Sequence, residues 1–241
     1  MHTTAHSQHA DTKCVNQPET HLALFDLDNT LVDRQSVFAR WARSFSLSRG
    51  LGEEGIEVLC DADDDGFATR EAVFTAVRRK FRINDTIEEL VARYRVEYPE
   101  MFQPDLATQV ALQRLRATGW RLGIVTNGPL TQHEKIRRAG LTPLVDAVCV
   151  SEEFGVAKPN PRIFAEAIRR CCGPVSHFAS RWMIGDSPEF DIAGGIGAGL
   201  RTAWLHHGRS WITTAFAPDI VASDLNDVIE KLFAATQSDQ L

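Results

Sequence analysis

The apolar positions of this chain form short strand-like runs in some regions and recur with helical spacing in others. The first clear pattern is a single strand. The run from His21 to Val32 is apolar until it meets two carboxylates, Asp26 and Asp28, which is typical of a buried strand ending at the edge of a parallel sheet. Because side chains alternate along a strand, the two carboxylates would share one face if the strand continues through them. We therefore predict a first strand that delivers acid groups to a sheet edge.

Only helical periods follow, from about residue 35 to residue 102. Apolar side chains recur at spacings of three and four in three stripes, and a shorter helix is expected around residues 53–60. The stripes are Val37, Phe38, Trp41 and Phe45; Val73, Phe74, Val77 and Phe81; and Ile87, Leu90, Val91 and Tyr94. We predict that residues 34–102 form a small helical bundle inserted after the first strand.

Beyond Pro104 short apolar strands alternate with helices. Strands are predicted at 121–126, 146–150, 181–185, 200–205 and 219–222, with helices between them and a closing helix capped by Asp224. This alternation is typical of an α/β fold with a doubly wound parallel sheet covered on both faces. The predicted division is therefore a polar, disordered tail at 1–20, a core from 21–33 and 103–241, and the helical insert at 34–102.

The composition of the chain excludes several classes of function. The chain has 241 residues, of which 44% are hydrophobic and 24% charged, the usage of an ordinary soluble globular protein. Its net charge of -6 and the absence of a basic stripe argue against nucleic-acid binding. No apolar run approaches the roughly 20 residues that span a bilayer, and the five cysteines lack metal-ligand spacing. We expect no membrane partner, reduced thiols and a cytoplasmic location.

Polar groups follow two of the predicted strand ends. Thr126, Asn127 and Gly128 offer a hydroxyl, an amide and a closely approachable N–H, which suits phosphate oxygens, although such a tripeptide is often only a turn. Lys158 is followed by two prolines one residue apart, just before a helix. The prolines stiffen this segment, so Lys158 is a candidate positive charge for an anionic substrate.

A further pair of acids follows the strand at 181–185. Asp186 lies directly at the strand end and Asp191 lies five residues later, near the start of a helix. Asp26 and Asp28 would repel each other unless a cation lies between them, and Mg²⁺ prefers such oxygen ligands. Asp186 is the natural third ligand, whereas Asp191 is better placed to steer its neighbours or to cap the helix.

An acidic segment within the insert resembles a calcium-binding loop only in part. Residues 61–66 match the first half of an EF-hand loop, but its closing position holds Ala72 rather than a glutamate. An acidic turn between two helices is the better interpretation.

Taken together, the motifs carry a family resemblance. They lie along the chain in the order Asp26-x-Asp28-x-Thr30, Thr126, Lys158-Pro159 and Gly185-Asp186 with Asp191. This order resembles the four motifs of the haloacid dehalogenase superfamily of phosphohydrolases, from about residue 21 to the C-terminus. The resemblance implies a Rossmann-like core and a mobile helical cap, formed by the insert, that closes over a small phosphorylated molecule.

The resemblance also implies a role for each motif residue. Asp26 would be the nucleophile that forms an aspartyl-phosphate, Asp28 the acid and base, and Lys158 the charge that offsets nucleophile and phosphate. Phosphoryl oxygens would be bound by Thr126, Asn127, Gly128 and Lys158. Mg²⁺ would be held by Asp26, the Asp28 backbone carbonyl and Asp186, with Asp191 and Thr30 in supporting positions.

Three other interpretations remain at this stage. A 2-haloacid dehalogenase would use the same nucleophile, but those members resemble this motif without its second aspartate. A phosphotransferase or mutase would pass the phosphoryl group to a hydroxyl, and a non-catalytic protein would only bind a phosphorylated metabolite.

Arg34 could meet a second anionic group of the substrate, although a solvated arginine is the simpler interpretation. The sequence does not decide between a monomer and a homodimer.

Overall fold

The computed structural model describes residues 20–173 and 177–238. Within these ranges the strands, β1 to β6, are His21–Phe25, Arg121–Thr126, Ala147–Val150, Ser180–Gly185, Arg201–Leu205 and Ile220–Ala222. The α-helices, α1 to α10, are Arg34–Arg49, Gly52–Asp63, Arg70–Phe81, Ile87–Glu100, Leu106–Ala117, Gln132–Arg138, Ser151–Phe154, Pro161–Cys172, Gly194–Gly197 and Leu225–Ser238. The predicted tail, apart from its last position, lies outside the described residues.

The six strands form one parallel sheet in the order β3-β2-β1-β4-β5-β6. The first strand lies near the centre, with β2 on one side and β4 on the other, so the chain order reverses there. A reversal of this kind opens a crevice at the carboxyl ends of the strands, where α/β proteins bind their ligands. The predicted α/β class and doubly wound, Rossmann-like sheet are confirmed.

Alternate side chains of β1 enter two separate cores. Ala23 and Phe25 pack with apolar side chains of α5, α6 and α10, whereas Leu22 and Leu24 pack with those of α8. All four side chains are fully buried. Helices therefore cover both faces of the sheet, which holds the carboxyl end of β1 in a fixed position.

The inserted helices α1 to α4 bury a core of their own, and we call them the cap. Trp41 lies at its centre, with ring centroids of Phe38, Phe45, Phe74 and Tyr94 between 4.8 and 5.9 Å away. The three predicted stripes are confirmed as buried faces of α1, α3 and α4, and the shorter predicted helix as α2. The domain bounds at 33/34 and 102/103 stay a prediction.

Local capping explains where the cap helices begin. Asp33 accepts a hydrogen bond from the N–H of Ser36 at the start of α1, and Thr86 with Glu89 forms a reciprocal capping box on α4. The acidic segment at 61–66 ends α2 and forms a short 3₁₀ turn before α3, as predicted.

Candidate active site

A buried lysine joins the ends of three separate segments at the sheet edge. Lys158 Nζ donates to Asp26 Oδ1 at 2.6 Å and to Asp191 Oδ1 at 2.7 Å. The three residues are between 1% and 7% exposed. Ion pairs this deeply buried persist only with good geometry on both sides, so Lys158 fixes the two carboxylates relative to each other.

Asp186 completes an acidic cluster with Asp26 and Asp191, and ligand oxygens of the three lie within 4.8 Å of one another. Asp26 follows β1 and Asp186 follows β4, which are neighbours in the sheet. Asp191 comes from the π-helical turn 188–193, and its carboxylate lies against Gly185, where any Cβ would overlap it. Glycine at 185 therefore lets Asp191 approach the sheet.

Burial sets the electrostatics of this acidic cluster. It raises the pKa of Asp26 to about 7, despite Lys158, and with the Asp26 charge it raises the pKa of Asp186 to about 6. Burial also raises the pKa of Asp191. Although burial favours the neutral amine, Asp191 and Asp26 raise the pKa of Lys158 above its ordinary value. Lys158 thus pairs with Asp26 and Asp191, and Arg209 with the half-buried Asp186. Three carboxylates still outnumber two cations, so the cluster favours an added cation.

The oxygens of the cluster are not equally engaged. Asp191 accepts from Lys158 through Oδ1 and from the Ser187 N–H through Oδ2. Asp26 Oδ2 and Asp186 Oδ1, in contrast, accept no hydrogen bond from any described residue. The free oxygens therefore belong to Asp26 and Asp186, and Asp191 is committed to holding its neighbours.

Asp28 lies apart from this cluster. The strand does not continue through Asp26 and Asp28, since β1 ends at Phe25, so the condition for a shared strand face is not met. The Asp28 carboxylate contacts α6, although Asp28 still lines the same cavity as Asp26. Lys135 Nζ lies 3.0 and 2.9 Å from its two oxygens, and Gln132 Nε2 lies 2.9 Å from Oδ2. Although burial opposes it, these contacts lower the pKa of Asp28.

The turn after β2 is held by internal hydrogen bonds. Thr126 Oγ1 accepts from Gln132 at 2.7 Å, which leaves its own proton available to donate. The Asn127 side chain bonds to the Lys158 backbone in both directions, and the Gly128 N–H donates to Ser151 Oγ. The Asn127 amide and the Gly128 N–H, which were predicted to bind phosphoryl oxygens, are thus engaged within the protein, where they position this turn and Lys158.

The cap contributes residues that the sequence did not single out. Asp65, Gly66 and Phe67 line a cavity of about 160 Å³ together with Asp26 and Lys158. These three residues belong to or directly follow the acidic turn, whose composition indicated only a loop. Their place in the site depends on how the cap lies over the sheet.

Arg34 is not solvated, so that expectation is wrong. It is 6% exposed, and its guanidinium donates twice to Asp63, at 2.7 Å each. Arg209 is a second missed residue, since its Nη2 lies 3.2 Å from Asp186 Oδ2. Thr30 contributes a buried Oγ1 without a hydrogen-bond partner among the described residues. Asp63 belongs to the acidic segment at 61–66, which was interpreted only as a turn, and no local sequence signal marked Arg209.

A Rossmann-like sheet, a helical cap and a buried lysine among carboxylates define a capped α/β protein with an acidic site at the carboxyl edge of its sheet. The chain belongs to the haloacid dehalogenase-like hydrolase family, whose sequence model matches residues 20–199. The predicted family is therefore confirmed, and with it the assignment as an enzyme of the hydrolase class.

Two curated relatives are named as a nucleotidase and a phosphatase. Pyrimidine 5'-nucleotidase YjjG of Escherichia coli K12 is 38% identical over 113 residues. The match covers 46% of this chain and 49% of that protein, so it spans about half the length of each. Glyceraldehyde 3-phosphate phosphatase of Methanothermobacter thermautotrophicus is 33% identical over 189 residues, covering 73% of this chain and 81% of that protein.

Solved structures share the architecture. The magnesium-bound HAD-hydrolase YfnB of Bacillus subtilis superposes with a TM-score of 0.70 at 26% identity, covering 90% of this chain and 98% of that one. A 2-haloacid dehalogenase of Pseudomonas syringae gives a TM-score of 0.60 at 27% identity, covering 90% and 99%. In the described part of this chain, no helix combines the length and apolar character needed to cross a membrane.

Proposed function

We propose that this hydrolase is a Mg²⁺-dependent phosphatase, which removes the phosphoryl group of a small phosphorylated molecule through an aspartyl-phosphate on Asp26. The observation that carries the proposal is the contact of Lys158 with Asp26 and Asp191 beside Asp186. A phosphate dianion approaching a carboxylate is repelled until positive charge offsets it, and Lys158 together with a bound cation would supply that charge beside Asp26.

Mg²⁺ fits the donors that are present. The cluster offers hard oxygen atoms, carries more negative than positive charge, and leaves one oxygen of Asp26 and one of Asp186 unengaged. We assign Asp26, Asp186 and the Asp28 backbone carbonyl as ligands, with Asp191 and Thr30 in supporting positions. Bound there, Mg²⁺ would offset the charge of nucleophile and phosphoryl group.

Each remaining residue has a role that its contacts support. Thr126 donates its hydroxyl proton to a phosphoryl oxygen, and Lys158 offsets the charge of that group. Asn127 and Gly128 keep the turn in place beside them. Asp28 gives a proton to the leaving oxygen and later takes one from the water that hydrolyses the aspartyl-phosphate.

The dehalogenase neighbour makes halide release the second candidate. The presence of Asp28 favours the phosphatase, because hydrolysis of a phosphoester requires an acid at the leaving oxygen, whereas the 2-haloacid dehalogenases resemble this motif without its second aspartate. Transfer to a hydroxyl, as in a phosphotransferase or mutase, would use the same residues and differ in the acceptor. A cytoplasmic location stays a prediction.

The test is Asp26→Asn, with Asp61→Asn on the exposed face of α2 as the matched control. We expect wild type and control to release phosphate from 4-nitrophenyl phosphate only with Mg²⁺, and Asp26→Asn to lose at least about a thousandfold in kcat. Full activity in Asp26→Asn would rule out this nucleophile. Ligand binding without turnover in wild type would indicate a binding protein, and chelator-resistant halide release from 2-haloacids a dehalogenase.

A further inference from the structure

The contact between α6 and Asp28 has no place in the motifs that define the family. Lys135 is 7% exposed, and its Nζ donates to both carboxylate oxygens of Asp28. Surface lysines keep their ammonium group in water. A lysine buried in this way has given up its hydration, and Asp28 is the carboxylate that compensates it.

Gln132 lies one turn earlier on the same face of α6 and adds a second contact. Its Nε2 donates to Asp28 Oδ2 at 2.9 Å and to Thr126 Oγ1 at 2.7 Å. A carboxylate offers about four acceptor positions, and Lys135 and Gln132 fill three of them. The position left free is on Oδ1, so the carboxylate can face a substrate in one way only.

Two aromatic rings of the cap region cover this lysine. The ring centroids of Tyr98 and Phe102 each lie 5.3 Å from Lys135 Nζ, within the range of cation–π contacts. Tyr98 is 2% exposed and Phe102 3% exposed. The rings shield the Lys135 ammonium, whereas the Asp28 side chain stays 22% exposed toward the site, and this shielding strengthens the hold of Lys135 on the carboxylate.

We propose that Lys135 is a positioning residue that, with Gln132, fixes the Asp28 carboxylate in the orientation needed for proton transfer to the leaving oxygen. The inference rests on the proposed function, in which Asp28 is the acid. As the P–O bond breaks, its electron pair stays on the ester oxygen, the proton carried at the free position of Asp28 Oδ1 moves to that oxygen, and Asp28 is left as the carboxylate that Lys135 and Gln132 hold. A displacement of the acid by about 1 Å costs roughly a hundredfold in rate.

The experiment compares two leaving groups. The parameter kcat/KM includes only the steps up to departure of the alcohol, so it isolates the protonation step. An alkyl phosphate such as glycerol 1-phosphate needs that proton, whereas 4-nitrophenyl phosphate has an activated leaving group that departs without it. A purely structural role for Lys135 would lower both values together.

The variants are Lys135→Met and Gln132→Met, with Asp28→Asn as the benchmark and the exposed Lys231→Met as the matched control. For Lys135→Met we expect the ratio of alkyl to aryl kcat/KM to fall about a hundredfold, as in Asp28→Asn. Gln132→Met should lower the ratio about fivefold to tenfold, and Lys231→Met should leave it unchanged.

Each outcome has one meaning. An equal fall for both substrates, or an unchanged ratio, in Lys135→Met overturns the positioning role while leaving the phosphatase intact. If circular dichroism shows that Lys135→Met is unfolded, the ratio of alkyl to aryl kcat/KM in Gln132→Met tests the positioning role in the same way. A wild type that hydrolyses neither substrate overturns the proposed function and this inference together.

Discussion

Replacing Lys158 with methionine would leave two buried carboxylates without their shared cation. Lys158 lies 2.6 Å from Asp26 Oδ1 and 2.7 Å from Asp191 Oδ1, and its side chain is 2% exposed. At an effective dielectric constant near 20, each contact is worth roughly 6 kcal/mol of attraction. Desolvation of the three groups offsets most of that sum, and removing one partner of a buried pair costs about 3–5 kcal/mol.

The loss should depend on pH in a direction that the structure specifies. Without Lys158, the pKa values of Asp26 and Asp191 rise further, so the folded variant binds protons that the unfolded chain releases. The free energy of unfolding of the variant then falls as pH rises above the ordinary aspartate value. We therefore expect a loss of about 3–5 kcal/mol at pH 7.5 and a clearly smaller one at pH 5.

The assay is urea unfolding followed by tryptophan fluorescence, with EDTA present at both pH values. Lys231→Met is the matched control, because Lys231 is 46% exposed and pairs with Asp227 at 2.9 Å. An exposed pair of this kind contributes at most about 1 kcal/mol. A similar loss in the two variants, or a loss from Lys158→Met that is independent of pH, would refute the reasoning.

Three further predictions concern the metal, a glycine and the cap core. Between about pH 4 and 7 the folded, metal-free protein binds more protons than the unfolded chain, because burial raises the pKa values of the acidic cluster, Asp26 to about 7. Its free energy of unfolding should fall as pH rises through that window, and Mg²⁺ should raise Tm more at pH 8 than at pH 5 in melts with and without EDTA; equal shifts would contradict this. Gly185→Ala puts a Cβ on the Asp191 carboxylate, so calorimetry should show at least a roughly tenfold weaker Mg²⁺ affinity, whereas Gly197→Ala, with open space around its Cβ, should not change it. Trp41→Ala should cost about 3–5 kcal/mol in urea unfolding.

Much of the fold could be predicted because it depends on local periodicity. The stripe of Val37, Phe38, Trp41 and Phe45 repeats at helical spacing, so it has a buried face whatever it packs against. The five strands after residue 120 follow from short apolar runs between helices. The end of β1 also follows the sequence, since pairing with β2 and β4 stops at Phe25, where the apolar run meets Asp26.

The candidate site was predictable where its chemistry sits at strand ends. Asp26 and Asp186 follow neighbouring strands, and the structure brings them together as expected for the carboxyl edge of a parallel sheet. Lys135, Gln132 and Arg34 were not predictable in this way. Each is a polar residue on a helix, where a solvated side chain is the ordinary outcome.

The sequence by itself determined the helical cap, the α/β core and the identity of the acids and the lysine at the strand ends, because these depend on residues close together in the chain. Only the tertiary structure decided which charged side chains form ion pairs with each other. Asp28 and Lys135 are 107 positions apart, and no local pattern encodes a distance across such a separation. That contact exists because α6 packs under the cap beside the end of β1, which buries Lys135 next to the half-buried Asp28 and leaves each as the other's partner.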